Sequence, residues 1–105
     1  MHDPTAADIL LERLLQLAER LQTENAAFID RPDQEQLWYN RGYANGMLIA
    51  LQELGYGGQL AGRVQADRAD LLEGYEALAW GRAYRHGEEM GSREAREVLA
   101  PRRAD

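Results

Sequence analysis

Glu35-Gln36-Leu37-Trp38-Tyr39-Asn40-Arg41-Gly42-Tyr43-Ala44-Asn45-Gly46 decides the fold, because a version of it returns 41 residues later as Glu76-Ala77-Leu78-Ala79-Trp80-Gly81-Arg82-Ala83-Tyr84-Arg85-His86-Gly87. At 3.6 residues per turn, Tyr39, Gly42, Tyr43, Gly46 and Ala50 share one helix face, and Trp80, Ala83, Tyr84, Gly87 and Gly91 share one face of a second helix. Each face places small residues one turn apart beside aromatics. Small side chains let two backbones approach closely, and rows four residues apart are the ridges of the commonest helix crossing. Glycine inside a helix costs about 1 kcal/mol relative to alanine, so several of them together call for a packing reason. The expectation is a tight helix–helix seam along these ten residues. The same spacing occurs in dimers of membrane helices, but the charged residues around it exclude a bilayer.

Upstream, Asp3-Pro4 suits a helix start, and Thr5 with Asp8 offers a capping box. That helix is expected to reach about Phe28. Ala7, Leu10, Leu14, Leu17, Leu21 and Phe28 follow a heptad, with Leu11, Leu15 and Ala18 widening the stripe. Leu10, Leu14, Leu17 and Leu21 are therefore the candidate face for self-association. Ile29 to Asp33 reads as a turn. The next helix is expected to run to Leu54 with Gly55 just past its end. Leu37, Ala44, Leu48 and Leu51 lie opposite its small face, which makes it apolar on opposing sides and places it centrally.

Gly55-Tyr56-Gly57-Gly58 is the clearest break, and it lacks the Lys-[Ser/Thr] of a phosphate loop. A third helix is expected from Asp67, capped by Asp67 or Asp70, to Met90. Gly91-Ser92 would punctuate it, Ser92 would cap a short last helix to Ala100, and Pro101 would stop that helix. There is no alternating β-branched run. The fold class expected is all-α: a bundle of three main helices plus a short C-terminal helix with an internal repeat at 35–46 and 76–87. A single domain over 1–100 and a flexible tail over 101–105 complete the reading.

The net charge is −6, all 12 basic residues are arginine, and there is no cysteine. Disulfides and cysteine-ligated metals are thereby excluded, and a reducing compartment is expected. The first residues lack a basic, apolar leader, and no apolar run approaches the roughly 18 residues that span a membrane. A cytoplasmic protein without membrane contact is the expectation. Arginine without lysine, with abundant alanine and glycine, suggests a GC-rich bacterial or phage genome. Residues 1–81 carry 13 acids against six arginines, while 82–105 carry five acids against six arginines. Such asymmetry suits a partner surface, or an acidic half docking on a basic one.

Catalytic material is sparse. Ser92, Thr5 and Thr23 are the hydroxyls of serine and threonine, and His2 and His86 are the histidines. No Glu-x-x-His pattern or isolated carboxylate pair appears, so no enzyme, metal site or cofactor is expected. Arg41 and Arg82 each lack an acid three or four residues away, so local helix pairing leaves them unsatisfied. Each needs a planar anion. Candidates are a carboxylate of Glu12 or Glu19, or, with Arg85 and His86 nearby, a phosphate-bearing ligand or a partner's acid. Direct nucleic-acid binding is disfavoured by the acidic balance. The acidic 1–40 segment could instead occupy a basic groove of a nucleic-acid-processing or defence complex. The leading expectation is a non-catalytic protein-interaction module, a small adaptor or inhibitor that binds itself and another, unidentified protein.

Overall fold

The computed structural model describes residues 5–68 and 70–101. Helix α1 spans Ala6–Glu24, α2 Glu35–Leu51, α3 Gly57–Leu60 and α4 Ala79–Val98. Among the described residues there is no strand, so the chain is all-α. Thr5 and Asp8 form the reciprocal capping box, with Asp8 N donating to Thr5 Oγ1 at 3.1 Å and Thr5 N donating to Asp8 Oδ2 at 2.9 Å. The alternative start at Asp3-Pro4, and residues 102–105 of the expected tail, lie outside the described residues. A short 3-10 turn, Phe28–Asp30, links α1 to α2.

Helix α2 occupies the centre. Its Ala44, Met47, Leu48 and Leu51 meet Leu11, Leu14, Leu15 and Ala18 of α1, all buried. Each leucine buried this way contributes about 1.5–3 kcal/mol relative to exposure. The two helices are antiparallel: Asn40 and Arg41, early in α2, reach Asn25 and Gln22 at the end of α1. Of the candidate oligomer face, Leu14 is thus buried in the chain's own core, and Leu10, Leu17 and Leu21 pack against that core while staying partly exposed. A wide turn, Gln52–Tyr56, ends α2, and Gly55 takes φ 99°, the left-handed conformation expected of a glycine past a helix end.

On its other face α2 meets α4, and here the glycines act. A Cβ on Gly42 would stand 2.9 Å from the Tyr84 carbonyl carbon, and one on Gly46 2.6 Å from that of Glu88. From the opposite side, a Cβ on Gly87 would stand 2.8 Å from Tyr43 N, and one on Gly91 2.8 Å from the Tyr43 carbonyl carbon. All four sites exclude a side chain because backbone faces backbone. Contact positions rise together along both helices, so α2 and α4 run parallel. Parallel helices cannot be joined by a short turn, and residues 52–78 carry the chain back along the pair.

The register differs from that of the sequence repeat. Gly42 faces Tyr84 as Gly87 faces Tyr39, and Gly46 faces Glu88 as Gly91 faces Tyr43. These contacts interchange when the helices are swapped with a shift of 45, not 41. That shift also aligns Tyr39, Gly42, Gly46 and Ala50 with Tyr84, Gly87, Gly91 and Ala95. Ala83 sits at the flank of the seam, and Trp80 packs on Trp38 with ring centroids 4.3 Å apart.

The last helix also differs in extent from the expectation. Residues 70–78 form successive tight turns, including Glu73 N to Asp70 O at 3.0 Å and Tyr75 N to Leu72 O at 2.8 Å. Gly74, at φ 84°, sits in the left-handed region where a helix cannot continue, so α4 begins at Ala79 rather than Asp67. The stretch 76–87 is thus only partly helical, unlike 35–46. At Gly91-Ser92 the expected break is replaced by continuous helix to Val98, since Gly91 serves the seam and Ser92 Oγ accepts from Arg96.

Candidate functional site

Each helix of the parallel pair offers two polar residues one turn apart on the same flank of the seam: Arg41 and Asn45 from α2, Tyr84 and Glu88 from α4. Asp67, on the extended segment before the turns, drops between them. Arg41 grips its carboxylate in a fork, Nε donating to Oδ1 and Oδ2 at 3.1 and 3.2 Å and Nη2 to Oδ1 at 2.8 Å. Tyr84 Oη donates to Asp67 Oδ2 at 2.7 Å, and Asp67 N donates to Asn45 Oδ1 at 2.7 Å. Asn45 Nδ2 donates to Glu88 Oε2 at 2.8 Å, and Arg41 Nη1 to the Gln22 carbonyl at 2.9 Å. The guanidinium also lies 5.0 Å from the Phe28 ring centroid.

This node is closed. The Arg41 and Asp67 side chains are 18% and 8% exposed, and no buried side-chain nitrogen or oxygen among the described residues is left without a partner. Burial first, and the bond to Asp67 second, push the Tyr84 hydroxyl far above its usual pKa, so it is a fixed donor. The node ties α1, α2, α4 and the return segment together; its groups are committed to one another. Arg41 therefore finds its carboxylate in Asp67. Glu12 and Glu19 pair instead with Arg63, whose Nη1 lies 2.6 Å from Glu12 Oε1 and whose Nη2 meets Glu19. That hydrogen bond from Arg63 lowers the Glu12 pKa.

The other flank of the seam is open. A hollow of about 520 Å³ is lined by Glu35, Gln36 and Tyr39 of α2 and by Ala79, Arg82, Ala83 and His86 of α4. Arg82 is exposed and has no hydrogen-bond or ion-pair partner for its side chain among the described residues. His86 is exposed, and its ring sits edge-on to Tyr39 at 5.5 Å. Beside the hollow, the turns before α4 leave Tyr75 52% and Leu78 47% exposed. Tyr75 leans on Trp80 at 5.4 Å, so its ring is held rather than trailing. Glu35 in the hollow, and Glu73 and Glu76 on the turns before α4, are exposed with no side-chain partner among the described residues.

Arg41 and Arg82 are thus not brought together. Arg41 edges a separate hollow of about 830 Å³ with Phe28, Ile29 and residues 62–68, and under the register of 45 its counterpart is His86. Arg85 pairs with Glu88 at 2.6 Å. From sequence Asp67 reads as a helix cap rather than as the partner of Arg41, and nothing local marks Asn45 or Glu88 for the node. Glu73, Tyr75, Glu76 and Leu78 fall within the expected third helix but lie on the turns that precede α4. Among the described residues, no group of three potential metal ligands occurs, and no helix is long and apolar enough to cross a membrane. Comparison with family models, curated proteins and solved structures finds no match for this chain.

Proposed function

We propose that the protein is a non-catalytic protein-interaction module, a small helical adaptor or inhibitor that works through the open flank of the α2–α4 pair. One observation carries this reading: exposed Tyr75 and Leu78 lie on the turns leading into a hollow that holds exposed His86 and Arg82, whose side chain has no partner among the described residues, while the charges on the opposite flank pair with one another. Aromatic residues and arginine around an apolar centre are the composition of interface hot spots. In this reading α2 and α4 are two versions of one helical unit, and the cysteine-free composition suits a cytoplasmic setting.

A photo-crosslinking amino acid at position 78, compared with one at exposed Gln16 on α1, tests the proposal. Covalent protein adducts from position 78 alone are expected. Adducts from neither position, or equally from both, would overturn it. A phosphate-bearing ligand is the weaker reading, because Arg41 is engaged with Asp67 and Arg82 stands apart from it.

A further inference from the structure

We infer that the open flank accepts a carboxylate of a partner protein, seated between Tyr39 and His86 with Arg82 alongside, as Asp67 is seated between Tyr84 and Arg41 on the closed flank. This rests on the interaction reading above and names the chemistry of the contact. The glycine contacts interchange α2 and α4 with a shift of 45, so the pair has an approximate two-fold axis along the seam. That axis carries one flank onto the other, Arg41 onto His86 and Tyr84 onto Tyr39. On the closed flank the two positions close on the Asp67 carboxylate. On the open flank both keep a donor: the Tyr39 hydroxyl, and a ring N–H that an imidazole carries in either tautomer. The two rings meet edge-on at 5.5 Å. Neither side chain has a hydrogen-bond partner among the described residues, although Tyr39 is half-buried.

Room for the incoming group comes from the same comparison. Phe28 and Leu72 plug the closed flank against Trp38 and Tyr84. The shift sets the small Ala83 where the closed flank has Trp38, and no described residue fills the space, which leaves the hollow of about 520 Å³. Arg82 lines that hollow one turn before His86, in the place that Leu37 holds on the closed flank. A tyrosine hydroxyl, an imidazole N–H and a guanidinium all offer protons, and a carboxylate accepts them on two oxygens. Glu35 also lines the hollow. It gives the test its sign, since it repels an incoming acid and would attract a base.

Random decapeptides displayed on phage and selected on the folded full chain supply the probe. Enriched peptides are expected to share an Asp or Glu at one position, on a protein whose net charge of −6 repels acids in bulk. Changing that residue to Asn or Gln in a synthetic copy should weaken binding by about tenfold or more, the scale of losing a charge-assisted contact. Tyr39→Phe should weaken it by roughly five- to tenfold. Glu35→Gln, and His86→Arg, which repeats the Arg41 grip, should tighten it. Circular dichroism confirms that each variant is folded, and the two gains cannot arise from misfolding. Enriched peptides that share a basic residue or no ionisable one, binding unmoved by Tyr39→Phe and Glu35→Gln, or no enrichment at all overturns the inference. A position-78 adduct alongside any of those results leaves the module standing without the carboxylate. Acid-dependent binding that follows the four variants, without an adduct, supports the carboxylate site and removes the wider module. Neither adduct nor acid-dependent peptide removes both.

Discussion

Along one flank of the α2–α4 seam, Arg41 is held by Asp67 and Gln22, Asp67 by Tyr84 and Asn45, and Asn45 by Glu88. Along the other, Arg82 and His86 face a hollow, with Tyr75 and Leu78 exposed beside it. The helices are the same two, and their axes are locked together by the same four glycines. What differs is the return segment. It must pass from the end of α2 to the start of α4, and it brings Asp67 only to the flank it crosses, so the charges of that flank alone are satisfied within the chain. The lesson is that a parallel helix pair acquires sidedness from its connection.

Substitutions can sharpen or break that contrast. The largest effect is expected at the closed flank. Asp67→Ala should destabilise the fold by about 3–5 kcal/mol in urea unfolding, because it strands a mostly buried guanidinium. A loss below about 1 kcal/mol, the worth of one ordinary hydrogen bond, would show that the node is not holding the return segment. Next comes the seam: Gly46→Leu should cost about 3 kcal/mol or more by overpacking against backbone. Gly58→Leu, where an added Cβ meets nothing within 4 Å, should sit within about 0.5 kcal/mol of wild type.

Tyr84→Phe should cost about 1.5 kcal/mol through the lost bond to a charged acceptor. It should also change the pH profile. The folded state raises the Tyr84 pKa above the ordinary tyrosine value of about 10, so its contribution is fully present below that pH and is lost as pH rises beyond it. Unfolding followed from pH 8 to pH 11 should therefore show wild type losing stability faster than Tyr84→Phe; parallel curves would contradict the burial of this hydroxyl. The smallest effect is expected on the open flank. Arg82→Ala, measured in dilute solution, should change stability by no more than about 0.5 kcal/mol.

The seam was legible because its signal is local: small residues one turn apart are visible within a single helix. Its register is ambiguous in the sequence. Leu37 with Leu78, Arg41 with Arg82 and Tyr43 with Tyr84 favour a shift of 41, yet Tyr39, Gly42, Gly46 and Ala50 recur at 45. Contact depends on the second set, since glycines and alanines decide how near the backbones come, while Leu78 and Arg82 point outward. The start of α4 is not legible locally, because Asp67 and Asp70 resemble helix caps. Gly74 was the available warning, being a glycine in the interior of the expected helix. The Arg41–Asp67 pair spans 26 residues and depends on how the return segment lies, which no local pattern encodes.

The contacts between glycine backbones offer the most direct test of the parallel seam. In a nuclear Overhauser spectrum of isotope-labelled protein, close proton pairs are expected between Gly46 Hα and Glu88 Hα, Gly42 Hα and Tyr84 Hα, and Gly87 Hα and the Tyr43 amide. Those cross-peaks together would establish both the direction and the shift of 45. If Gly46 and Gly87 instead show only contacts within their own helices, or Gly42 pairs with residues near Ala95, the parallel packing and the closed and open flanks built on it are contradicted.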